Sequence, residues 1–115
     1  MMKPRFLNDD EAFKCLRAGE IDQFHRITES RSVVDFSGAD LRGTDLRNVQ
    51  LQKITLRNAY LREADLRGCD LRQVDLEGAS LHNAKIAGAY FAESLSPEEI
   101  QLSFQHGTRL RIAKK

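Results

Sequence analysis

Tryptophan is missing from this 115-residue chain, and proline, cysteine, methionine and tyrosine occur only twice each. Cys15 and Cys69 stand far apart, form no metal-ligand spacing and require no disulfide, so a reduced, cytoplasmic setting is the expectation. No apolar run approaches the roughly 20 residues that span a bilayer. None follows Met1-Met2-Lys3-Pro4 either, so neither a membrane span nor a signal peptide is expected. An excess of one charge is also lacking: 18 Lys and Arg stand against 17 Asp and Glu, a net charge of +1. That balance removes the bulk electrostatic case for a nucleic-acid or anionic-membrane partner. The length suits one domain with small terminal caps.

Repetition is what the chain has in quantity. Residues 34–93 read in fives as VDFSG ADLRG TDLRN VQLQK ITLRN AYLRE ADLRG CDLRQ VDLEG ASLHN AKIAG AYFAE, twelve blocks without an insertion. The third residue is always large and apolar, from Phe36 through the leucines to Ile86 and Phe91, and the first is small or β-branched. Such internal repetition is read before any local propensity. A helix would set successive third residues about 500° apart and scatter them around its axis. A strand would throw them onto alternating faces. A chain that turns a corner every five residues keeps first and third positions inward. Four sides make a coil of about 20 residues, and coils stacked at the roughly 4.8 Å strand spacing give three coils about 14 Å high. Every twentieth residue then forms a ladder. The Val34/Ile54/Val74 ladder is all β-branched and the Ala39/Ala59/Ala79 ladder all alanine, which supports that period.

These blocks resemble the pentapeptide repeat family, whose usual block is Ala-(Asp/Asn)-Leu-X-X; ADLRG at 39–43 and at 64–68 fits it fully. The resemblance implies an all-β solenoid with helical caps, a right-handed quadrilateral β-helix. It covers 60 of the 115 residues. Family members include inhibitors and protectors of DNA gyrase, secreted effectors and proteins of undefined role, and the block itself encodes none of these activities.

Three segments are expected: an N-terminal helical cap over 1–33, the twelve repeats over 34–93, and a C-terminal helix and short tail over 94–115. Residues 1–8 read as irregular. Asn8, followed by Asp9, Asp10 and Glu11, reads as a helix start, with Gly19 as its end and a second helix from about Glu20 to Glu29. Both helices are too short to stand alone and are expected to cover the first coil through Phe13, Ile21, Phe24 and Ile27. Ser96-Pro97-Glu98-Glu99 is a capping box with proline at the first helical position, and Gly107 is the stop. Thr108–Ile112 alternates like a short strand that pairs with its own last coil or with another subunit, and Lys114 and Lys115 make a basic end. Five glycines that close blocks, with Asn48, Asn58 and Asn83 in equivalent places, read as corner residues tolerant of left-handed backbone rather than as a phosphate loop.

Function has to come from the outward positions. Arg42 stacks with Arg62, and Arg47 with Arg67, on two adjacent faces. Tyr60 and Tyr90 are outward second-position aromatics, expected on adjacent faces in different coils. These six residues are the candidate protein-binding surface. Aspartates at the second position compensate the arginines. With eight Lys or Arg and nine Asp or Glu in 34–93, direct nucleic-acid binding and an acidic imitation of duplex DNA are both disfavoured. His25 has no partners at ligand spacing and reads as a surface or cap-packing residue. Cys15 and Cys69 fall at packing positions without a histidine and carboxylate framework, so no catalytic residue, metal or cofactor is expected. The chain reads as a non-enzymatic structural or protein-interaction module with an unidentified protein partner, a monomer narrowly favoured over a dimer. Regulation or protection of gyrase or another topoisomerase is the alternative that the resemblance implies.

Overall fold

The computed structural model describes residues 3–5, 7 and 9–113. Helix α1 spans Glu11–Ala18. Asp10 Oδ1 accepts the N–H groups of Ala12 at 2.8 Å and Phe13 at 3.4 Å, satisfying orphan donors at the helix start. The cap is thus Asp10; the expected cap, Asn8, lies outside the described residues. Gly19, in the left-handed region at φ 79°, ends the helix. Helix α2 spans Ile21–Thr28. Phe13 and Phe24 meet Phe36 of the first block at ring-centroid distances of 5.6 and 6.2 Å, so the two short helices close over the start of the repeats. Helix α3 spans Pro97–His106, with Ser96 Oγ accepting the Glu99 N–H at 3.2 Å and Gly107 closing it. The reciprocal half of the expected capping box is replaced by another bond. The Glu99 carboxylate turns instead to Arg111, accepting its backbone N–H at 3.1 Å and its Nε–H at 3.0 Å.

Between the helices the chain bends every five residues. Gly38, Gly43, Gly68, Gly78, Gly88 and Asn48, Asn58, Asn83 all have φ between 56° and 79°, as their corner role requires. Glu63 shares that conformation at 61°, which its residue type does not announce. Strands β1 (Val34–Asp35) and β2 (Ile54–Thr55) pair in parallel, Val34 with Ile54 and Asp35 with Thr55. Single parallel bridges link Asp40 with Tyr60, Tyr60 with Ser80, Asp45 with Asp65, Asp65 with Lys85 and Asp70 with Tyr90. Each of these joins residues twenty apart, the period read from the ladders.

The expected all-β class, a closed right-handed quadrilateral β-helix or solenoid, needs correction. Among the described residues, regular strand is confined to β1 and β2, two residues each, in an open two-stranded sheet that does not curl on itself. The helices, of eight, eight and ten residues, hold most of the regular secondary structure. The physical reason is the length of the block. Corner residues interrupt the extended backbone every few positions, so pairing survives as isolated bridges and turn hydrogen bonds rather than as strands.

Third-position side chains from Phe36 to Leu81 are no more than 3% exposed, each contributing about 1.5–3 kcal/mol by burial. Ile86 and Phe91 are the exceptions, only partly buried. The ends are tied down by side chains and by the tail. Arg5 bridges Ala39 in parallel. Arg17 Nη1 donates to Thr44 Oγ1 at 2.7 Å. His25 Nε2 accepts the Gln50 N–H at 3.1 Å, a cap-packing role. Lys53 Nζ donates to the Arg31 carbonyl at 3.0 Å and to that of Thr28 at the end of α2. The 108–112 segment forms one antiparallel bridge, Arg109 with Ser80 of its own chain, rather than a strand. Leu110, 1% exposed, fills the core beside it. Lys114 and Lys115 lie outside the described residues.

Candidate functional site

In an Asp-Leu-Arg block the leucine points inward, so aspartate and arginine two positions apart emerge together. Four blocks use this in the same way. The N–H groups of Arg42, Arg47, Arg67 and Arg72 donate to Oδ1 of Asp40, Asp45, Asp65 and Asp70 at 3.0–3.2 Å, a local side-chain turn. Each guanidinium then grips the same carboxylate twice. Nε donates to Oδ1 at 2.7–3.0 Å. Nη2 donates to Oδ2 at 2.7–3.0 Å. This two-point fit is specific to arginine.

Adjacent blocks in the stack are coupled. Arg47 Nε also lies 3.2 Å from Asp65 Oδ2, so Asp65 receives two guanidinium groups. The interleaving of carboxylates between stacked arginines relieves their repulsion, as the charge pattern suggests. Hydrogen bonding from Arg67, helped by Arg47, holds the Asp65 carboxyl far below the usual carboxylate range. Arg72 lowers Asp70 to about 2. Asp40 and Asp45 are lowered by Arg42 and Arg47 in turn.

The six candidate surface residues fall into different settings. Arg42, Arg47 and Arg67 are chelated as described. In the block of Arg62 the aspartate is replaced by Tyr60, and its nearest carboxylate is Glu63 at 3.7 Å; the Arg62 side chain is 56% exposed. Tyr60 is half-buried, with the Arg109 guanidinium 5.2 Å above its ring and Arg109 Nη2 donating to its hydroxyl at 3.0 Å. Tyr90 is 58% exposed and carries Arg72 at 5.3 Å over its ring. The two tyrosines are not on adjacent faces. Tyr60 stands in the row of Asp40 and Ser80, and Tyr90 in the row of Asp70, two blocks further round. Asp40, Asp45, Asp65 and Asp70, expected to compensate the arginines, do so as chelating partners; Arg72 and Arg109 join the surface beyond the six candidates. The i, i+2 Asp–Arg spacing carries that pairing, and it marks Arg72 with Asp70 as well. Nothing local marked Arg109, which reaches Tyr60 from a distant segment.

The repeated five-residue corner, the twenty-residue pairing and the inward apolar ladder match one known pattern. The family model described as pentapeptide repeats (8 copies) matches residues 34–62 and 59–94. The chain belongs to the pentapeptide repeat family. No curated protein matches it significantly.

Among the described residues of this pentapeptide repeat protein, no group of three or more His, Cys, Asp or Glu side chains could hold a metal ion. No described helix is long and apolar enough to cross a membrane. Cys15 and Cys69 are free thiols, buried, and burial pushes both pKa values up, away from a reactive thiolate. Cys69 Sγ donates to the Leu46 carbonyl at 3.4 Å, a packing role. The groove between α1 and α2 is lined by Asp9, Glu11, Lys14, Cys15, Glu20 and Ile27, among others. Lys14 there pairs with Glu11 at 2.9 Å.

Proposed function

We propose that this protein is a non-enzymatic protein-interaction module, and that its contact surface is the set of chelated arginines in three neighbouring rows, with Arg62 and Tyr90 beside them. One observation supports this above others: four guanidinium groups are locked at two points each, and three of them, Arg42, Arg47 and Arg67, are nevertheless 45–49% exposed. A guanidinium has five donors, and chelation through Nε and Nη2 leaves the Nη1 pair and one Nη2 hydrogen free. Such a group meets a partner's carbonyl or carboxylate without the ordering cost that a free arginine side chain carries. Because each carries its own carboxylate, the surface attracts no polyanion, and a partner is selected by hydrogen-bond geometry rather than by charge.

Gyrase or topoisomerase regulation has less support. An imitation of duplex DNA needs a continuous acidic row, whereas the aspartates here are spent on arginines. The longest dimension, 36 Å, corresponds to about one turn of duplex.

The test is capture of partners from native cell extract with the wild-type protein and with the quadruple variant Arg42→Gln, Arg47→Gln, Arg62→Gln, Arg67→Gln, matched for folded fraction by circular dichroism. The reading expects partners retained by wild type to be lost with the variant. Undiminished capture by the folded quadruple variant sinks it.

A further inference from the structure

The two halves of the C-terminal end are finished differently. Over one half, the chain supplies its own cover. The Gly78 N–H donates to the Leu110 carbonyl and the Leu110 N–H to the Ala79 carbonyl, both at 2.8 Å. Arg109 Nη1 donates to the Gly78 carbonyl at 2.7 Å. Next to this, the Leu81 N–H donates to Ser103 Oγ at 2.8 Å, and the Asn83 N–H to the Phe104 carbonyl at 3.1 Å.

Ten residues further on, Gly88-Ala89 repeats Gly78-Ala79 in residue type, block position and left-handed glycine, φ 72° against 79°. Among the described residues, no segment pairs with it as Leu110 pairs with Gly78-Ala79. The N–H groups of Ile86, Gly88 and Phe91 and the carbonyls of Ala84 and Ala89 have no hydrogen-bond partner there. One level below, the equivalent Leu66, Gly68 and Leu71 N–H groups bond upward to Lys85, Ala87 and Tyr90. Side chains tell the same story: Leu66 and Leu71 are 0% exposed, while Ile86 and Phe91 are only partly buried. An edge with open donors, open acceptors and partly exposed apolar side chains accepts an added extended segment.

Charge narrows the occupant. The tail that fills the Gly78 site is basic, and it meets acids there: Arg111 pairs with Glu99, and Glu77 accepts the Ile112 N–H at 2.7 Å. The free charge at the open site is a cation instead: Lys85 makes no ion pair among the described residues, whereas Arg67 and Arg72 in the rows beneath are held by Asp65 and Asp70; Glu93 is the one acid of 84–93. The tail of a second copy is disfavoured as occupant, because it is already used in its own Gly78 site.

We propose that the Ile86–Phe91 edge is a docking site for an extended peptide of a partner protein, with an aliphatic residue flanked by carboxylates, held as Leu110 is held at Gly78-Ala79. This edge adjoins the chelated arginines through Tyr90, Arg67 and Arg72, but its readout is the Ile86–Phe91 backbone amides and not partner capture, so either reading can fail without the other.

The experiment titrates the isotope-labelled full chain with acetyl-Thr-Glu-Leu-Glu-Ile-amide and follows backbone amide resonances. Saturable shifts are expected at Ile86, Gly88, Ala89 and Phe91. The peptide with N-methylated leucine, which cannot donate to Ala89, and the peptide with arginines in place of both glutamates should each bind at least about ten-fold more weakly. Lys85→Glu, at an exposed position, should invert the preference between acidic and basic peptides. The proposal is overturned by no shift at millimolar peptide, by shifts centred on Gly78 and Ala79, by equal binding of all three peptides, or by concentration-dependent shifts of these amides without peptide, which would mean self-association.

Discussion

Removing one hydroxyl should loosen the whole C-terminal cover. Ser103 is 0% exposed, and its Oγ accepts the Leu81 N–H at 2.8 Å. In Ser103→Ala that N–H has no acceptor and no route to water, because Leu81 is also 0% exposed. A buried donor left unsatisfied costs about 1–3 kcal/mol. The change in side-chain volume is small, so little of the effect comes from a cavity. The natural control is the adjacent Leu102→Ala: Leu102 is larger but 39% exposed, and its loss should stay within about 0.5 kcal/mol. Urea unfolding followed by circular dichroism gives the stability difference, provided the two variants keep the wild-type slope. Amide exchange supplies the site-specific reading, with Leu81 exchanging about ten-fold faster for every 1.4 kcal/mol lost locally. If Ser103→Ala is as stable as Leu102→Ala and the Leu81 amide exchanges at the wild-type rate, the bond does not anchor α3.

Acid should act through the aspartate row. Free aspartates titrate near about 3.9, whereas Asp35, Asp40, Asp45, Asp65 and Asp70 are all lowered by their hydrogen bonds, Asp70 to about 2. Between those values the unfolded chain takes up protons that the folded chain does not. The stabilisation is therefore intact above about pH 4 and lost as pH falls through the folded values, so urea midpoints should decline from about pH 4 toward pH 2, less steeply in Asp70→Asn. Glu63, at φ 61°, holds a left-handed corner that glycine adopts without strain; Glu63→Gly should gain roughly 1 kcal/mol in the same assay. Gly43→Ala, where a Cβ meets nothing within 4 Å, should lose about 1–2 kcal/mol from backbone strain alone. Cys15 and Cys69 should react with an aromatic disulfide reagent only at the rate of unfolding, and burst modification of the native protein would contradict their burial.

Legibility followed the range of the interaction. Ser96, Pro97 and Gly107 act on their own turn, and α3 begins and ends where they say. The five-residue spacing of inward leucines identified the core, because burial at 0–3% exposure depends only on the repeat. Asp-Leu-Arg was legible as a charge pattern but not as a chelate: seeing that needs the inward leucine and the turned backbone that bring positions two and four together. Strand was overestimated because the period shows where the chain bends without showing how little extended backbone lies between bends. Glu63 escaped notice because its conformation is imposed by the blocks around it, with its N–H bonded to the His82 carbonyl at 2.9 Å, against its own preference. The covering of Tyr60 by Arg109 joins residues 49 apart, beyond the reach of any local pattern.

The twenty-residue pairing makes chain length a matter of modular arithmetic. Adding twenty residues between Asn83 and Ser94 keeps the twenty-residue pairing interval and offers α3 an equivalent of Leu81 in the added residues. Adding five between Asn83 and Ser94 leaves the leucines inward and the local turns unchanged, yet lengthens the 22-residue span that the Leu81–Ser103 hydrogen bond closes, so that Ser103 no longer finds Leu81. Two insertions equally compatible with the repeat are thus unequal to the caps. Growth or loss of the stretch between Asn83 and Ser94 by duplication should proceed in steps of twenty residues, and single-block changes there should survive only where the terminal helix is rebuilt with them.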